Sequence, residues 1–183
     1  MATHGVTLTY EDYAALPNDG RRYELHEGEL SVTPAPTPRH QEVLGTLYRI
    51  LAAFVESQGL GKVYIAPIDV ILSPPTVVQP DLVFVARDRL NIISTRGIEG
   101  APSFVAEVIS PSSVQIDHHM KRQIYARYRV PFYWIVDSEQ RSIEVYGLER
   151  DAYALLNAAR PADATFRAEP FGALEIDLAR LWR

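Results

Sequence analysis

Two acidic side chains, Asp81 and Glu107, lie in segments that are otherwise apolar. Asp81 belongs to VVQPDLVFVA, residues 77–86, and Glu107 belongs to FVAEVIS, residues 104–110. An ionised carboxylate that is buried without a partner loses hydration worth on the order of several kcal/mol. Each of these acids therefore needs a cation, a hydrogen-bond donor or water beside it.

One divalent cation would satisfy both acids at once. If the two segments form neighbouring strands, their carboxylates can lie close enough to share a hard cation, and Mg²⁺ accepts few carboxylates together with water. We therefore predict a Mg²⁺ site at Asp81 and Glu107, with Mn²⁺ as the natural substitute. The structural alternative is that either carboxylate alone accepts a backbone amide or pairs with an arginine.

The order of these acids resembles the PD-(D/E)XK nuclease superfamily, in which Pro-Asp is followed by a glutamate on a later strand. The resemblance runs from residue 10 to the end of the chain. It implies a metal-dependent site that hydrolyses phosphodiester bonds. Members of the superfamily carry a lysine two positions after the second acid, and that position here is Ile109. The departure supports an alternative, a catalytically lapsed module of the same fold that binds nucleic acid or another partner.

The segment DHHMKRQIYARYR, residues 117–129, is expected to form a helix that offers a replacement lysine. At about 100° per residue, Lys121 falls on the same helical face as the apolar Ile124 and Tyr125. Helical side chains lean toward the N-terminus, which is the end that follows the Glu107 segment. Because lysine is rarely buried without a partner, we predict that Lys121 reaches back to the acids.

A lysine displaced in this way, together with a series of further motifs, resembles the Uma-type branch of the superfamily. The shared motifs, in chain order, are YELxxGEL, RHQ at the start of a long helix, VVQPDLVFV, EVxSPSS and KxxxYxxxxVPxYWIVD. By this resemblance Asp81 and Glu107 are metal ligands and Lys121 is the catalytic cation. Three further residues match the motifs as candidates for binding: His40, Gln41 and Tyr125.

Several other polar residues have structural alternatives to a role in the site. Glu29 could complete the acidic cluster, but a solvated carboxylate in a hairpin is the favoured interpretation. Asp69, inside PIDVIL, is expected to form a structural hydrogen bond. His118 and His119 point about 100° apart on a helix and do not share one ion well. His40 could instead cap the start of its helix.

These residues need a scaffold, and the pattern of the sequence predicts an α/β fold. We expect a restriction-endonuclease-like core, in which a central mixed β-sheet is flanked by helices and preceded by an N-terminal helix and a β-hairpin. The predicted elements are a short helix at 9–16, hairpin strands around Gly28, a long helix at 40–59, strands at 62–73, 77–86 and 103–110, a helix at 117–129, and strands at 131–137 and 142–148. The strand, helix, strand order predicts parallel pairing of the 103–110 and 132–137 segments.

Length and composition limit the class of protein. The 183 residues suit a single domain, 1–183, and the absence of cysteine excludes disulfides, thiolate zinc sites and cysteine nucleophiles. A formal net charge of -5 argues against a protein that coats nucleic acid non-specifically. The N-terminus lacks the pattern of a secretory signal, and no apolar run approaches the roughly 18 residues of a membrane span. We therefore expect a cytoplasmic protein.

The sequence as a whole predicts a Mg²⁺-dependent endonuclease that hydrolyses DNA phosphodiester bonds. Cutting both strands of a duplex needs two sites, which makes a homodimer the expected assembly. Two alternatives remain beside this one. The first is the lapsed module of the same fold, and the second is a phosphodiesterase of small nucleotides, which suits an acidic surface better than a long duplex does.

Overall fold

The computed structural model describes residues 6–109 and 116–183, with the side chains of the second range described from His119 onward. The helices are α1 (Tyr10–Ala14), α2 (Pro38–Ser57), α3 (Ile116–Arg127) and α4 (Leu178–Leu181), with a 3-10 turn at Arg87–Ile92. The strands are β1 (Arg22–His26), β2 (Glu29–Thr33), β3 (Gly61–Ile65), β4 (Val70–Ser73), β5 (Thr76–Val78), β6 (Leu82–Ala86), β7 (Ile98–Glu99), β8 (Phe104–Ile109), β9 (Phe132–Asp137), β10 (Ser142–Glu149), β11 (Ala152–Ala159), β12 (Thr165–Phe166) and β13 (Ile176–Asp177). The short first helix and the hairpin that follows it agree with the prediction.

The strands form two main sheets in the part of the chain that the structure describes. The larger sheet has six strands in the order β11-β10-β9-β8-β6-β3, and the smaller has five in the order β2-β1-β5-β4-β7. β8 and β9 are parallel, with Glu107 opposite Ile135, as the strand, helix, strand order predicts. β6 runs antiparallel to β8, so the larger sheet is the mixed sheet that was expected.

Two segments that were each predicted as one strand divide between the two sheets. Residues 62–73 form β3 in the larger sheet and β4 in the smaller, and residues 77–86 form β5 in the smaller and β6 in the larger. Pro67 and Pro80 lie at the two breaks, where a residue without an amide hydrogen cannot continue the ladder. Asp81 therefore lies in the crossing between the sheets, and the prediction that it lies within a strand was wrong.

Alternating side chains give the larger sheet two buried faces. On β6, Leu82 and Phe84 join the core cluster that includes α2, whereas Val83 and Val85 join the cluster that includes α3. This is the period of two that a strand imposes on its side chains. Helices thus cover both faces of the sheet, and the same alternation on β8 turns Glu107 toward α3.

The longest helix, α2, begins at a proline and is capped by the residue before it. The hydroxyl of Thr37 accepts the amide of His40 at 3.2 Å, so Thr37, and not His40, supplies the cap. The buried residues of α2 recur at helical spacing along one face: Val43, Leu44, Leu47, Leu51 and Val55. Among the described residues, no helix combines the length and the apolar character that a bilayer crossing requires.

The C-terminal segment packs back onto the α2 side of the larger sheet. The segment contributes these buried residues to the α2 cluster: Phe171, Ile176, Leu178, Leu181 and Trp182. The ring of Phe171 meets the rings of Phe84, Phe104 and Trp134 edge to face, at centroid distances of 5.2, 5.2 and 5.9 Å. The end of the chain therefore covers the face of the sheet opposite to Glu107.

Candidate active site

Asp81 is buried, and its carboxylate has three partners. Oδ2 accepts the backbone amide of Val108 at 2.9 Å and lies 3.0 Å from Nε2 of His40, while Oδ1 accepts from Nη1 of Arg22 at 3.3 Å. The ladder between β6 and β8 stops before this amide, so the carboxylate supplies the acceptor that a strand would have supplied. Burial would raise the pKa of Asp81, but these partners outweigh burial and lower it. The amide and the arginine of the structural alternative are thus both present.

Glu107 meets α3 in the middle of β8. Its Oε1 accepts the ammonium of Lys121 at 3.1 Å and the hydroxyl of Tyr125 at 2.6 Å. Both acid and lysine are 5% exposed. The helical face that the sequence singled out is therefore the face that contacts the acid, and the lysine from the helix reaches it.

Glu24 of β1 is a third buried acid, which was not predicted from the sequence. It is 1% exposed, and its Oε1 lies 3.0 Å from Nζ of Lys121 and accepts the backbone amide of Gln79 at 2.6 Å. Glu29, the hairpin acid that was considered from the sequence as a member of the acidic cluster, is exposed. Glu24 stands between large apolar residues of a strand, and this pattern indicates burial. The same pattern led to the prediction for Glu107.

Arg22 was not predicted either, and it lies on the same face of β1 as Glu24. Residues two apart on a strand share a face, so Arg22, Glu24 and His26 form one row. Arg22 contacts Asp81 and the carbonyl of Gln79, and Nε2 of His26 lies 3.5 Å from Oε2 of Glu24. The polar face of β1 therefore borders the cluster.

Among the described side chains of this cluster, the carboxylates outnumber the cations whose charge does not depend on pH near neutrality. Three carboxylates, Glu24, Asp81 and Glu107, face two permanent cations, Arg22 and Lys121. Burial raises the pKa of Glu107, the ammonium of Lys121 opposes that shift, and the carboxylates of Asp81 and Glu24 add to it. An additional positive charge near Glu107 would therefore stabilise its ionised form.

Lys121 is held in its charged form. Burial alone would lower the pKa of its amine, but the carboxylates of Glu107 and Glu24 outweigh burial and raise that pKa above its ordinary value. An amine that stays protonated donates hydrogen bonds and stabilises negative charge, and it does not accept a proton at neutral pH. The cluster thus offers a fixed cation rather than a general base.

Two other residues singled out from the sequence make no hydrogen bond to the three acids of the cluster among the described residues. The side chain of Gln41 is exposed on the first turn of α2, and no hydrogen bond joins it to the cluster within the described ranges. Asp69 accepts the hydroxyl of Tyr13 at 2.7 Å and the side-chain amide of Gln79 at 2.8 Å. Asp69 therefore makes structural hydrogen bonds, as predicted.

The histidines of α3 are described only in part. His119 is exposed and lies 3.0 Å from the side-chain amide of Gln123, one helical turn later. The side chain of His118 lies outside the described residues, and so does the SPSS motif at 110–113. His119 thus has a partner on its own helix and none in the acidic cluster among the described side chains.

Glu24 is expected to make stability depend on pH in the acidic range. Burial would raise its pKa, but Lys121, His26 and the amide of Gln79 outweigh burial and lower it from 4.5 to about 2. A carboxylate whose pKa is lower in the folded state stabilises the fold above its unfolded pKa, and this contribution is lost as pH falls through the folded pKa. The shift corresponds to about 3 kcal/mol.

Urea denaturation between about pH 6 and pH 2 checks this expectation. The free energy of unfolding should decrease with falling pH more steeply in the wild type than in Glu24→Gln, because the variant has no carboxylate at that position. The difference between the two proteins isolates Glu24 from the other acids. Equal slopes in the two proteins would contradict the assignment.

Comparison with known proteins connects this arrangement to a family. A crystal structure of a "putative nuclease belonging to DUF820", from Anabaena variabilis ATCC 29413, is similar in fold, with a TM-score of 0.78, 17% sequence identity, and coverage of 96% of this chain and 97% of that chain. No curated protein matches the sequence significantly. The family profile of Uma2, described as "Putative restriction endonuclease", matches residues 10–179. Since that range contains every residue of the cluster, and nearly the whole chain, this protein belongs to the Uma2 family, as its motifs predicted.

Proposed function

We propose that this protein is a Mg²⁺-dependent endonuclease that hydrolyses phosphodiester bonds in DNA, with Asp81, Glu107 and Lys121 as its active site. The observation that carries the proposal is the contact between Nζ of Lys121 and Oε1 of Glu107 at 3.1 Å, which supplies an amine where Ile109 stands in the superfamily pattern. Membership of a family described as "Putative restriction endonuclease" supports a nuclease, and so does the similar fold of the Anabaena protein, which is described as a "putative nuclease".

The donor set fits a hard divalent cation. The described residues contain no cluster of three or more His, Cys, Asp or Glu side chains arranged to hold a metal ion. Two carboxylates with water completing the shell are a ligand set that Mg²⁺ accepts, and Asp81 and Glu107 would supply the carboxylates. The excess of carboxylates over permanent cations among the described side chains and the raised pKa of Glu107 favour a cation there. Bound Mg²⁺ or Mn²⁺ lowers the pKa of a water molecule and stabilises negative charge on the phosphate.

The side chains of the protein hold this site in place and supply a positive charge. Lys121 donates hydrogen bonds to the negative charge that develops on the phosphate during attack. Tyr125 fixes the carboxylate of Glu107, and His40 with Arg22 fixes that of Asp81. Because these partners are present before the substrate binds, the two acids need little reorganisation.

The substrate and assembly follow from the same proposal. Gln41, exposed beside His40 on the first turn of α2, is available to contact DNA near the site. Cutting both strands requires two active sites, so we propose that the protein acts as a homodimer. We also propose that it acts in the cytoplasm. Light scattering of the purified protein measures the assembly directly.

The test is cleavage of supercoiled plasmid by the purified protein. We expect nicking with Mg²⁺ or Mn²⁺ and none with a chelator, because the acids alone do not activate water. A dinucleotide assayed in parallel separates a nuclease from a phosphodiesterase of small nucleotides. Normal DNA binding without cleavage under either metal would contradict the proposal and favour the lapsed module.

A further inference from the structure

We propose that Glu24 is the positioning residue for Lys121, and that the N-terminal hairpin is therefore part of the active site. In this arrangement Glu24 holds the lysine ammonium beside Glu107, so that an amine carried by α3 replaces one that the superfamily places on the acidic strand. The inference rests on the proposed function of Lys121. It adds a residue and an element that the motifs of the sequence did not assign to the site.

The ammonium of Lys121 lies between two carboxylates from different sheets. Its Nζ is 3.0 Å from Oε1 of Glu24, on β1 of the smaller sheet, and 3.1 Å from Oε1 of Glu107, on β8 of the larger sheet. A lysine side chain has a flexible four-carbon stem, and one partner leaves it several conformations. Two partners on opposite sides restrict the amine to one location.

Glu24 is itself fixed. Its Oε1 accepts the amide of Gln79 at 2.6 Å, and its Oε2 accepts the hydroxyl of Thr33 at 3.4 Å and lies 3.5 Å from Nε2 of His26. These partners belong to both strands of the hairpin and to the crossing between β5 and β6. The location of the lysine amine is thus determined by the hairpin as well as by α3.

The proposed role of Glu24 differs from that of a metal ligand. Oε1 of Glu24 already has two partners, Lys121 and the amide of Gln79, and Asp81 and Glu107 are the acids for which a cation is proposed. The described side chains form no group of three acids or histidines arranged around one ion. In the proposed arrangement Glu24 acts through Lys121, and the affinity for Mn²⁺ separates this role from that of a metal ligand.

The lysine content of the chain permits a test that needs no enzymatic activity. The chain contains only two lysines, Lys62, which is exposed, and Lys121, which is buried. In protein labelled with ¹⁵N at the lysine amines, the protected ammonium of Lys121 should give a slowly exchanging ¹H–¹⁵N signal, and that of Lys62 should exchange with water. Glu24→Gln should raise the exchange rate of Lys121 at least about tenfold, because one of its two charged acceptors is removed.

Glu29→Gln is the matched control, since it removes an exposed carboxylate from the same hairpin and should leave the signal unchanged. If Glu24→Gln does not fold, Glu24→Asp keeps the charge but shortens the side chain, and the same increase in exchange is expected. An exchange rate of Lys121 that stays at the wild-type value in a folded Glu24 variant would overturn the proposal. That result would not contradict the nuclease proposal. Conversely, a protein without nuclease activity would not affect what the exchange rates show about Glu24.

Kinetics separate positioning from direct catalysis. Glu24→Gln should lower kcat for plasmid nicking by about 10- to 100-fold, with an unchanged KM for DNA and an unchanged calorimetric Kd for Mn²⁺. In a Lys121→Met background, the same change should add less than about threefold, because the group through which Glu24 acts is gone. If the effects of the two changes on kcat multiply, or if Glu24→Gln weakens the binding of Mn²⁺, the positioning role is overturned.

Discussion

Replacing Lys121 with methionine is expected to lower kcat for DNA cleavage by about 10²- to 10³-fold. Methionine keeps much of the apolar stem and removes the ammonium, and loss of one preorganised donor to a developing oxyanion typically costs that much. The KM for DNA should change little, because a buried amine at 5% exposure contributes little to binding of the backbone. Steady-state cleavage of plasmid at saturating Mg²⁺ measures both constants.

The other lysine provides the matched control for this change. Lys62→Met removes the same group from an exposed position on β3 and should leave kcat unchanged. Lys121→Met also removes the counter-charge of Glu24 and Glu107, so we expect a loss of about 3–5 kcal/mol in the free energy of unfolding. Thermal melting must therefore show that the variant is folded at the assay temperature. A folded Lys121→Met protein that cleaves at the wild-type rate would contradict the assigned role.

Replacing Asp81 with asparagine is expected to remove both Mn²⁺ binding and cleavage. The asparagine carbonyl can still accept the amide of Val108, so the crossing between β5 and β6 should keep its conformation. The variant lacks the charge that a hard cation requires, and its affinity for Mn²⁺ should fall by more than the roughly 10- to 100-fold that loss of an outer partner costs. Calorimetric titration with Mn²⁺ and plasmid cleavage are the measurements.

Asp88→Asn is the control for this variant, because Asp88 is an exposed acid seven positions later in the chain. It should bind Mn²⁺ and cleave DNA as the wild type does. If Asp81→Asn gives a wild-type isotherm, the carboxylate of Asp81 only contacts Val108, His40 and Arg22 and does not bind the metal. The structural alternative is then correct.

The sequence predicted the parts of the fold that depend on local patterns. The long helix α2 has apolar residues at helical spacing, and the parallel pairing of β8 and β9 follows from the strand, helix, strand order. Lys121 was found by the same reasoning, since the angle between residues on a helix is fixed. The contact of Lys121 with Glu107 therefore needed only the geometry of one helix and the strand before it.

Prediction from the sequence failed where two distant segments meet. β1 pairs antiparallel with β5, with Leu25 opposite Val77, and this pairing brings Glu24 to the amide of Gln79. The apolar neighbours of Glu24 indicate its burial, but nothing local to the YELHEG motif indicates the amide of Gln79 as its partner or places Arg22 in the site. The divided strands are a different case, because Pro67 and Pro80 mark the breaks in the sequence but do not indicate that the two halves join different sheets.

The central claim is that Asp81 and Glu107 bind one divalent cation beside the ammonium of Lys121. Anomalous diffraction from crystals soaked with Mn²⁺ tests it most directly. We predict a manganese peak bonded to a carboxylate oxygen of each acid, with Nζ of Lys121 still hydrogen-bonded to Glu107. Manganese bound elsewhere, or acids too far apart to contact the same ion, would contradict it.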